Sequence, residues 1–312
     1  MTSITRRAAL AAGAGLALAP QFAAAQATPE GVHRIKVGAL EAFVINDGFN
    51  VRADATQGFV VNAEPPQVAA AMQAGGLTPP SLQNPYNITV LRTPQGLVMF
   101  DAATGGAGGP ETGKAPERMR AAGLDPAQVA LIVHTHFHGD HIGGLATNEG
   151  VANFPNARIL VPEREWAFWN DAGEESRAAA NRRPGFALVR RRFAPYEGKV
   201  TTFAPGAQVA PGITAVATNG HSPGHTSLLI ADGNDQLLVL GDAVHAPALF
   251  MANPEWYPIF DMDPTQAVET RKRLLDRLAT DRIPIIGYHF PMPATGRVER
   301  AGTGYRLVPS NA

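Results

Sequence analysis

Between His134 and His141 the chain reads His134-Thr135-His136-Phe137-His138-Gly139-Asp140-His141. Few arrangements constrain a fold as tightly. Desolvating several imidazoles beside a carboxylate is unfavourable unless something pairs them, and a divalent cation supplies that pairing. His136 and His138 stand two apart on extended chain and can point the same way at one ion. Gly139 permits a sharp turn, after which Asp140 and His141 can face a second ion beside the first. Imidazole with carboxylate is the donor mixture of zinc and the borderline first-row metals. The competing reading is a loop of solvated histidines. Against it stands Val129 to Val133 (VALIV), a continuous apolar run that reads as a buried strand and delivers the cluster to the edge of a core.

The chain holds no cysteine. Disulfides, thiolate ligands and a Cys nucleophile are therefore excluded together, and any metal must be held by imidazole and carboxylate. The start of the chain is set apart from the fold. Arg6-Arg7 precedes an apolar run from Ala8 to Pro20, too short to span a bilayer, and then the small-residue stretch Ala23-Ala24-Ala25-Gln26-Ala27. This order predicts a cleaved export signal over residues 1–27, and Thr5-Arg6-Arg7-Ala8-Ala9-Leu10 resembles the twin-arginine type. A periplasmic or secreted protein without a stable membrane anchor follows. Residues 28–312 then form a single domain, since no polar linker divides them. The signal would take two arginines and no acid with it, moving the net charge from −1 to about −3. Scattered charge of that size offers no footprint for nucleic acid.

Period-2 and apolar runs predict strands at Arg34–Val37, Ala42–Asn46, Ile88–Arg92, Gly96–Asp101, Arg158–Val161, Gln236–Leu240 and Ile283–Gly287. An antiparallel meander is expected from Val200 to Ile230. Helices are expected at Pro66–Gln73, at Ala115–Ala122 and through much of Pro162–Arg192. One more starts at the Asp263 cap, with Val268, Leu274, Leu275 and Leu278 inside and Arg271, Lys272, Asp276 and Arg277 outside. The long Val61–Asn87 connection suits a lid or binding loop. The glycines of Ala103–Gly113 lack the spacing of a phosphate cradle and read as turns. Several strands followed by a helix occur twice, which suits two packed sheets.

Further motifs follow the histidine cluster, each at the end of an expected strand: Gly220-His221-Ser222-Pro223-Gly224-His225, Leu240-Gly241-Asp242 and Gly287-Tyr288-His289. With His136-x-His138-x-Asp140-His141, Thr135 before it and Gly143-Gly144 after it, the set resembles the metallo-β-lactamase superfamily. The resemblance implies an α+β fold, the αββα sandwich of two mixed sheets packed face to face with helices outside. It places His136, His138 and His221 on one metal and Asp140, His141 and His289 on another, with Asp242 bridging. Zinc is the expected ion, and manganese, iron or cobalt would also suit such donors. His225 and Asp101 read as support behind the ligands. His134 falls one position too early to match; His245, three after Asp242, could line the pocket but is read as structural, and His33 as a surface residue before the first strand.

The absence of cysteine and the bridging Asp242 set the chain apart from the β-lactamases with a Cys ligand. Its tail, Tyr288-His289-Phe290-Pro291-Met292-Pro293 with Gly296-Arg297-Val298 and Gly304-Tyr305-Arg306, resembles the methyl parathion hydrolase group. Gly241-Asp242-Ala243-Val244-His245 and Arg271-Lys272-Arg273 resemble it too, and that group shares its features with quorum-quenching lactonases. The resemblance implies a hydrolase that opens lactones or esters, or cleaves phosphotriesters, with a hydroxide shared between two metals. Asp140 or Asp242 would relay the proton, the substrate would be a small apolar molecule, and a homodimer is implied. Phe137, Trp166, Phe168, Trp169 and Phe193 are candidates for the substrate wall. Two other readings stay open: a persulfide dioxygenase with a single iron, and a non-catalytic binding protein of the same fold.

Overall fold

The structure is a computed structural model and describes residues 28–310. The export segment expected over residues 1–27 lies outside the described residues. Two seven-stranded sheets account for the strands. The first runs in chain order: β1 (Val32–Val37), β2 (Leu40–Arg52), β3 (Leu82–Thr93), β4 (Gly96–Phe100), β5 (Val129–Val133), β6 (Arg158–Pro162) and β7 (Val200–Phe203). The second holds β8 (Gln208–Ala210), β9 (Ile213–Ala217), β10 (Thr226–Asp232), β11 (Asp235–Val239), β12 (Ile285–Ile286), β13 (Thr295–Ala301) and β14 (Gly304–Pro309). The helices are α1 (Pro65–Ala74), α2 (Ala115–Ala121), α3 (Gly139–Ile142), α4 (Glu163–Trp169), α5 (Ala172–Arg177), α6 (Arg183–Phe193), α7 (Pro247–Phe250) and α8 (Pro264–Asp281).

Alternation along the strands explains the layers. On β2, Ala42 and Val44 face the second sheet, while Phe43 and Ile45 face the helices outside the first. On β4, Val98 and Phe100 face inward, and Leu97 and Met99 outward. Both faces are buried, so these strands carry unbroken apolar runs. The inner layer joins Leu131 and Val133 to Ile213, Ala215, Leu228 and Ile230 of the second sheet. The outer layer packs Met119 of α2, Trp169 of α4 and Phe186 and Val189 of α6 against the first sheet. On the far side, α8 lies along β13 with Leu274, Leu275 and Leu278 buried.

Each half of the chain makes one sheet, and the halves share a plan. An antiparallel run of four strands ends in a crossover to a parallel neighbour: β4 through α2 to β5, and β11 through α8 to β12. The turns after β4, β5, β11 and β12 carry Asp101, the histidine cluster, Asp242 and His289. Twofold repetition thus brings four site-bearing turns together, the strand-end placement that suits layered folds.

Four expectations need correction. Val200–Ile230 is not one meander, because β7 pairs parallel with β6 and the turn after Phe203 carries the chain to the other sheet. The last core strand shrinks to Ile285 and Ile286, since Pro284 has no N–H to donate and Gly287 turns its own to Ala294. His33 lies inside β1 and is half-buried. Arg271 is buried on α8, whereas Val268 is only half-buried.

Candidate metal centre

The site is built on glycine-dependent turns. Asp101, in the left-handed region at φ 62°, turns its carboxylate beneath the histidine cluster. It accepts bonds from Thr135 N (2.8 Å), Thr135 Oγ1 (2.8 Å) and His141 Nδ1 (2.8 Å). Burial, the largest single influence, would raise its pKa, but the charges and hydrogen bonds of His141 and His134 together outweigh it and hold it at about 2. Gly143 and Gly144 lie flush on the turn after β4. A Cβ on Gly144 would come within 1.9 Å of the Ala102 carbonyl oxygen. Gly241 has a positive φ of 57°, and a Cβ there would meet His225 Nε2 at 2.7 Å. Asp242 is thereby delivered to the centre of the cluster.

Two groups of donors converge there: His136, His138, His221 and Asp242, and Asp140, His141, Asp242 and His289. Within each group the ligand atoms lie within 4.8 Å of one another, and Asp242 is common to both. Its carboxylate stands 3.2 Å from His141 Nε2, 3.3 Å from His221 Nε2 and 3.2 Å from His289 Nε2. Asp140 reaches His289 Nε2 at 3.3 Å and His141 Nε2 at 3.7 Å. His138 Nδ1 and His221 Nε2 approach to 2.8 Å.

Hydrogen bonds behind the rings fix which nitrogen faces inward. His141 Nδ1 donates to Asp101, His221 Nδ1 to Asp261 (2.9 Å) and His289 Nδ1 to the Pro85 carbonyl (2.9 Å). Thr135 Oγ1 gives its proton to Asp101 and accepts from His136 Nδ1 at 3.0 Å. His136 Nε2, His141 Nε2 and Asp242 Oδ1 are then buried with no hydrogen-bond partner. Buried lone pairs left unpaired are costly in an apolar interior, and a cation in each donor group, with Asp242 common to both, would satisfy all three. The donor set fits divalent metal.

Burial first, then its cationic neighbours, pushes the His138 imidazole down to about 3. Burial also opposes charge on His221 and His289. Bonds from Asp242 and Asp261 outweigh it at His221, and the Asp242 charge and an Asp140 bond outweigh it at His289, lifting both to about 9. Two protons held in this way must leave when cations take their place.

The remaining histidines have distinct places. His225 stands behind Asp242: its Nε2 accepts the Asp242 N–H at 2.9 Å and its Nδ1 bonds Thr218 Oγ1 at 2.8 Å. His134 is buried beneath the cluster, against Phe137 and Phe193. His245 stacks on His289 with ring centres 4.0 Å apart and brings Nε2 to 3.3 Å from Asp242. It lines the cavity above the cluster.

That cavity, of about 990 Å³, is walled by the β2–β3 arm (Val51, Arg52, Leu82, Tyr86), by Phe59, by Leu188 and by Ile259 and Phe260. The aromatic wall expected from the sequence is elsewhere. Phe137, Trp169 and Phe193 are buried in the layer between the first sheet and its helices, with Trp166 and Phe168 packed on it. Phe168 and Trp169 border a separate cavity of about 340 Å³. Of Val61–Asn87, only Leu82, Asn84 and Tyr86 reach the larger cavity, while Val68 and Met72 of α1 pack with Leu249 and Phe250 of α7.

Several contributors escaped sequence reasoning. Asp261, which holds His221, is itself held by Arg271 Nη2 at 2.8 Å, and both side chains are buried. Their signal was positional: Arg271 falls four after Ala267 and three before Leu274, on the buried face of α8. Asn87 donates to the carbonyls of Tyr288 and Phe290, both at 2.8 Å, and so anchors the His289 turn to the first sheet. The Tyr288 hydroxyl donates to the Asp140 carbonyl at 2.6 Å. No local pattern marks Asn87, and the motif that holds Tyr288 does not show what its hydroxyl meets.

A two-sheet αββα sandwich with paired His/Asp donor groups at its strand ends defines a class of metalloprotein. The family profile of the metallo-beta-lactamase superfamily matches residues 83–287, more than half of the chain, and the protein belongs to that superfamily. Among sequence relatives, N-acyl homoserine lactonase AttM of Agrobacterium fabrum is 32% identical over 133 residues, 40% of this chain and 44% of its own. N-acyl homoserine lactonase AiiA of Bacillus thuringiensis subsp. kurstaki is 27% identical over 169 residues, 54% of this chain and 58% of its own. The chain thus spans about half the length of the curated relatives it matches. The crystal structure of hydrolase AbOPH superposes with a TM-score of 0.85 at 26% identity, covering 90% of this chain and 98% of that one. AidC, a dizinc quorum-quenching lactonase, superposes with the same TM-score and coverage at 22% identity, a likeness of fold.

Proposed function

We propose that this protein is a hydrolase with two divalent ions, zinc foremost, that opens lactones or cleaves related small apolar esters. The observation that carries the reading is the Asp242 carboxylate, shared by two complete donor groups at the floor of the cavity. Similarity to N-acyl homoserine lactonases supports a lactone as the first substrate to try. A phosphotriester belongs to the same proposal, because its electrophilic centre makes the same demand on the site.

When bound, paired ions would acidify a water and polarise the substrate oxygen. Asp242 would hold the ions together by offsetting their repulsion. Asp140, at the cavity edge with about a quarter of its side chain exposed, would pass the proton of the attacking water to the departing ring oxygen. The acyl C–O bond breaks and a hydroxy acid leaves. Val51, Phe59, Ile259 and Phe260 would shelter the apolar tail. A single-iron dioxygenase reading would leave Asp140, His141 and His289 without a task.

The test compares a lactone, an aryl ester, a phosphotriester and a β-lactam on one purified preparation, with metal content by mass spectrometry. Turnover of the lactone or ester, with about two ions per chain, is the expected result. Asp242→Ala should lose all turnover while keeping the fold, and full activity in that variant would refute the two-metal reading. Export by the twin-arginine route and a homodimer complete the proposal. Fractionation of an Arg6→Lys/Arg7→Lys variant, expected to stay in the cytoplasm, and light scattering of the mature protein address them.

A further inference from the structure

Glu165 sits in the first turn of α4, is 0% exposed, and takes no part in either donor group. Its carboxylate accepts four hydrogen bonds, all from neutral donors. Oε1 takes Phe137 N (3.2 Å) and Trp169 Nε1 (2.7 Å); Oε2 takes Ser222 Oγ (2.8 Å) and Gly224 N (2.7 Å). Phe137 stands between His136 and His138, and Ser222 follows His221. One buried carboxylate therefore ties together the two chain segments that supply the three imidazoles of the first donor group. The second segment is pressed onto the helix as well: a Cβ on Gly224 would come within 2.2 Å of Glu165 N.

A buried carboxylate without a cationic partner is expensive to keep. An apolar side chain would avoid that cost but would leave four buried donors from separate segments unpaired. Only a two-oxygen acceptor can serve donors from both segments at once. We propose that Glu165 is a positioning residue, setting the spacing between the His136/His138 strand end and the His221 turn so that they grip one ion. This inference rests on the metal-centre reading above. It also predicts that the disturbance stays local, since Asp140, His141 and His289 bond to none of these partners.

The experiment is a cobalt(II) titration of the metal-free protein, followed by visible absorption with metal counted by mass spectrometry, on wild type, Glu165→Gln and Ser222→Ala. An amide keeps the size but turns a donor toward one of the two pairs. In Glu165→Gln, one of the two ions should bind about tenfold to a hundredfold more weakly, the effect of removing support behind a ligand. The other ion should be unchanged. Ser222→Ala removes one bond of the four and should weaken the same ion by a smaller factor. Equal weakening of both ions, or none, overturns the proposal. Should Glu165→Gln fail to fold, Ser222→Ala decides alone: selective weakening supports the proposal and unchanged binding defeats it. A wild-type protein that takes up no cobalt would instead defeat the metal-centre reading.

Discussion

Two pairs of residues carry the ligands' orientation: Asp101 with His141, and Asp261 with His221. The second is backed by Arg271, so a carboxylate–guanidinium pair lies wholly inside the protein. Removing one member leaves the other charge buried and uncompensated. Arg271→Ala should therefore lower the unfolding free energy by about 3–5 kcal/mol, read by urea denaturation. It should also weaken metal at His221, because Asp261 is then free to turn. A loss below about 1 kcal/mol would mean that water reaches Asp261. The His136–His141 cluster was legible as a candidate metal site from residue types and spacing, while its grouping with His221, Asp242 and His289 came from the resemblance to the superfamily, and the structure brings those donors together. Their supports were not legible. Charge argued for an exposed Arg271, and only the helical period of α8 argued otherwise.

At the scale of elements, the site depends on turns that approach closer than a side chain allows. Gly144 lies against Ala102, and the Ala102 N–H donates to the His141 carbonyl at 2.7 Å. Gly144→Ala should part the turns after β4 and β5. A stability loss of about 1–3 kcal/mol is expected from the overpacking, with weaker metal binding at Asp140 and His141, both measured on the purified variant. A thermal midpoint equal to wild type would show that the turns can slide. The 259–260 turn makes a second prediction. Phe260, at the mouth of the cavity and 40% exposed, should act through binding: Phe260→Ala should raise KM for long-chain lactones several-fold with little change in kcat. An equal fall in kcat would place it nearer the reacting atoms. The sequence marked a long connection before β3 as a lid, but could not tell which part would face the cavity. That depended on α1 docking against α7, distant in the chain.

For the whole molecule, the predictions concern how metal and protons share one site. Chelation should lower the thermal midpoint by on the order of 10 °C, because a ligand held far above its dissociation constant contributes several kcal/mol. Added zinc should restore it. The metal-free protein should also respond to pH on both sides. His221 and His289, at about 9 when folded against 6.5 unfolded, stabilise fully below pH 6.5. They lose that contribution as pH rises through 9. His138, His225 and His245, at about 3, 3 and 4, contribute above pH 6.5 and lose it as the pH falls toward 4. The midpoint of the metal-free form should peak near pH 6.5. In the loaded form the alkaline decline should vanish, because bound imidazoles carry no proton to lose. A parallel alkaline decline in both forms would show that His221 and His289 are not coupled to metal.

The sequence by itself determined that a dense His/Asp cluster would sit at the end of a buried strand, because donors of that chemistry have few other ways to be buried, and only the resemblance to the superfamily joined His221, Asp242 and His289 to it. The short apolar runs between turn signals suited strands covered on both faces, and their recurrence suited two packed sheets. Tertiary structure decided what stands behind and above the donor groups. Glu165, Asp261 and Asn87 make contacts between segments far apart in the chain, and Arg271 reaches Asp261 from the next element. The cavity wall came from the β2–β3 arm and the 259–260 turn, while the expected aromatics were taken into the core. Burial of an aromatic ring is favourable wherever it packs, so its local sequence cannot say which surface will claim it.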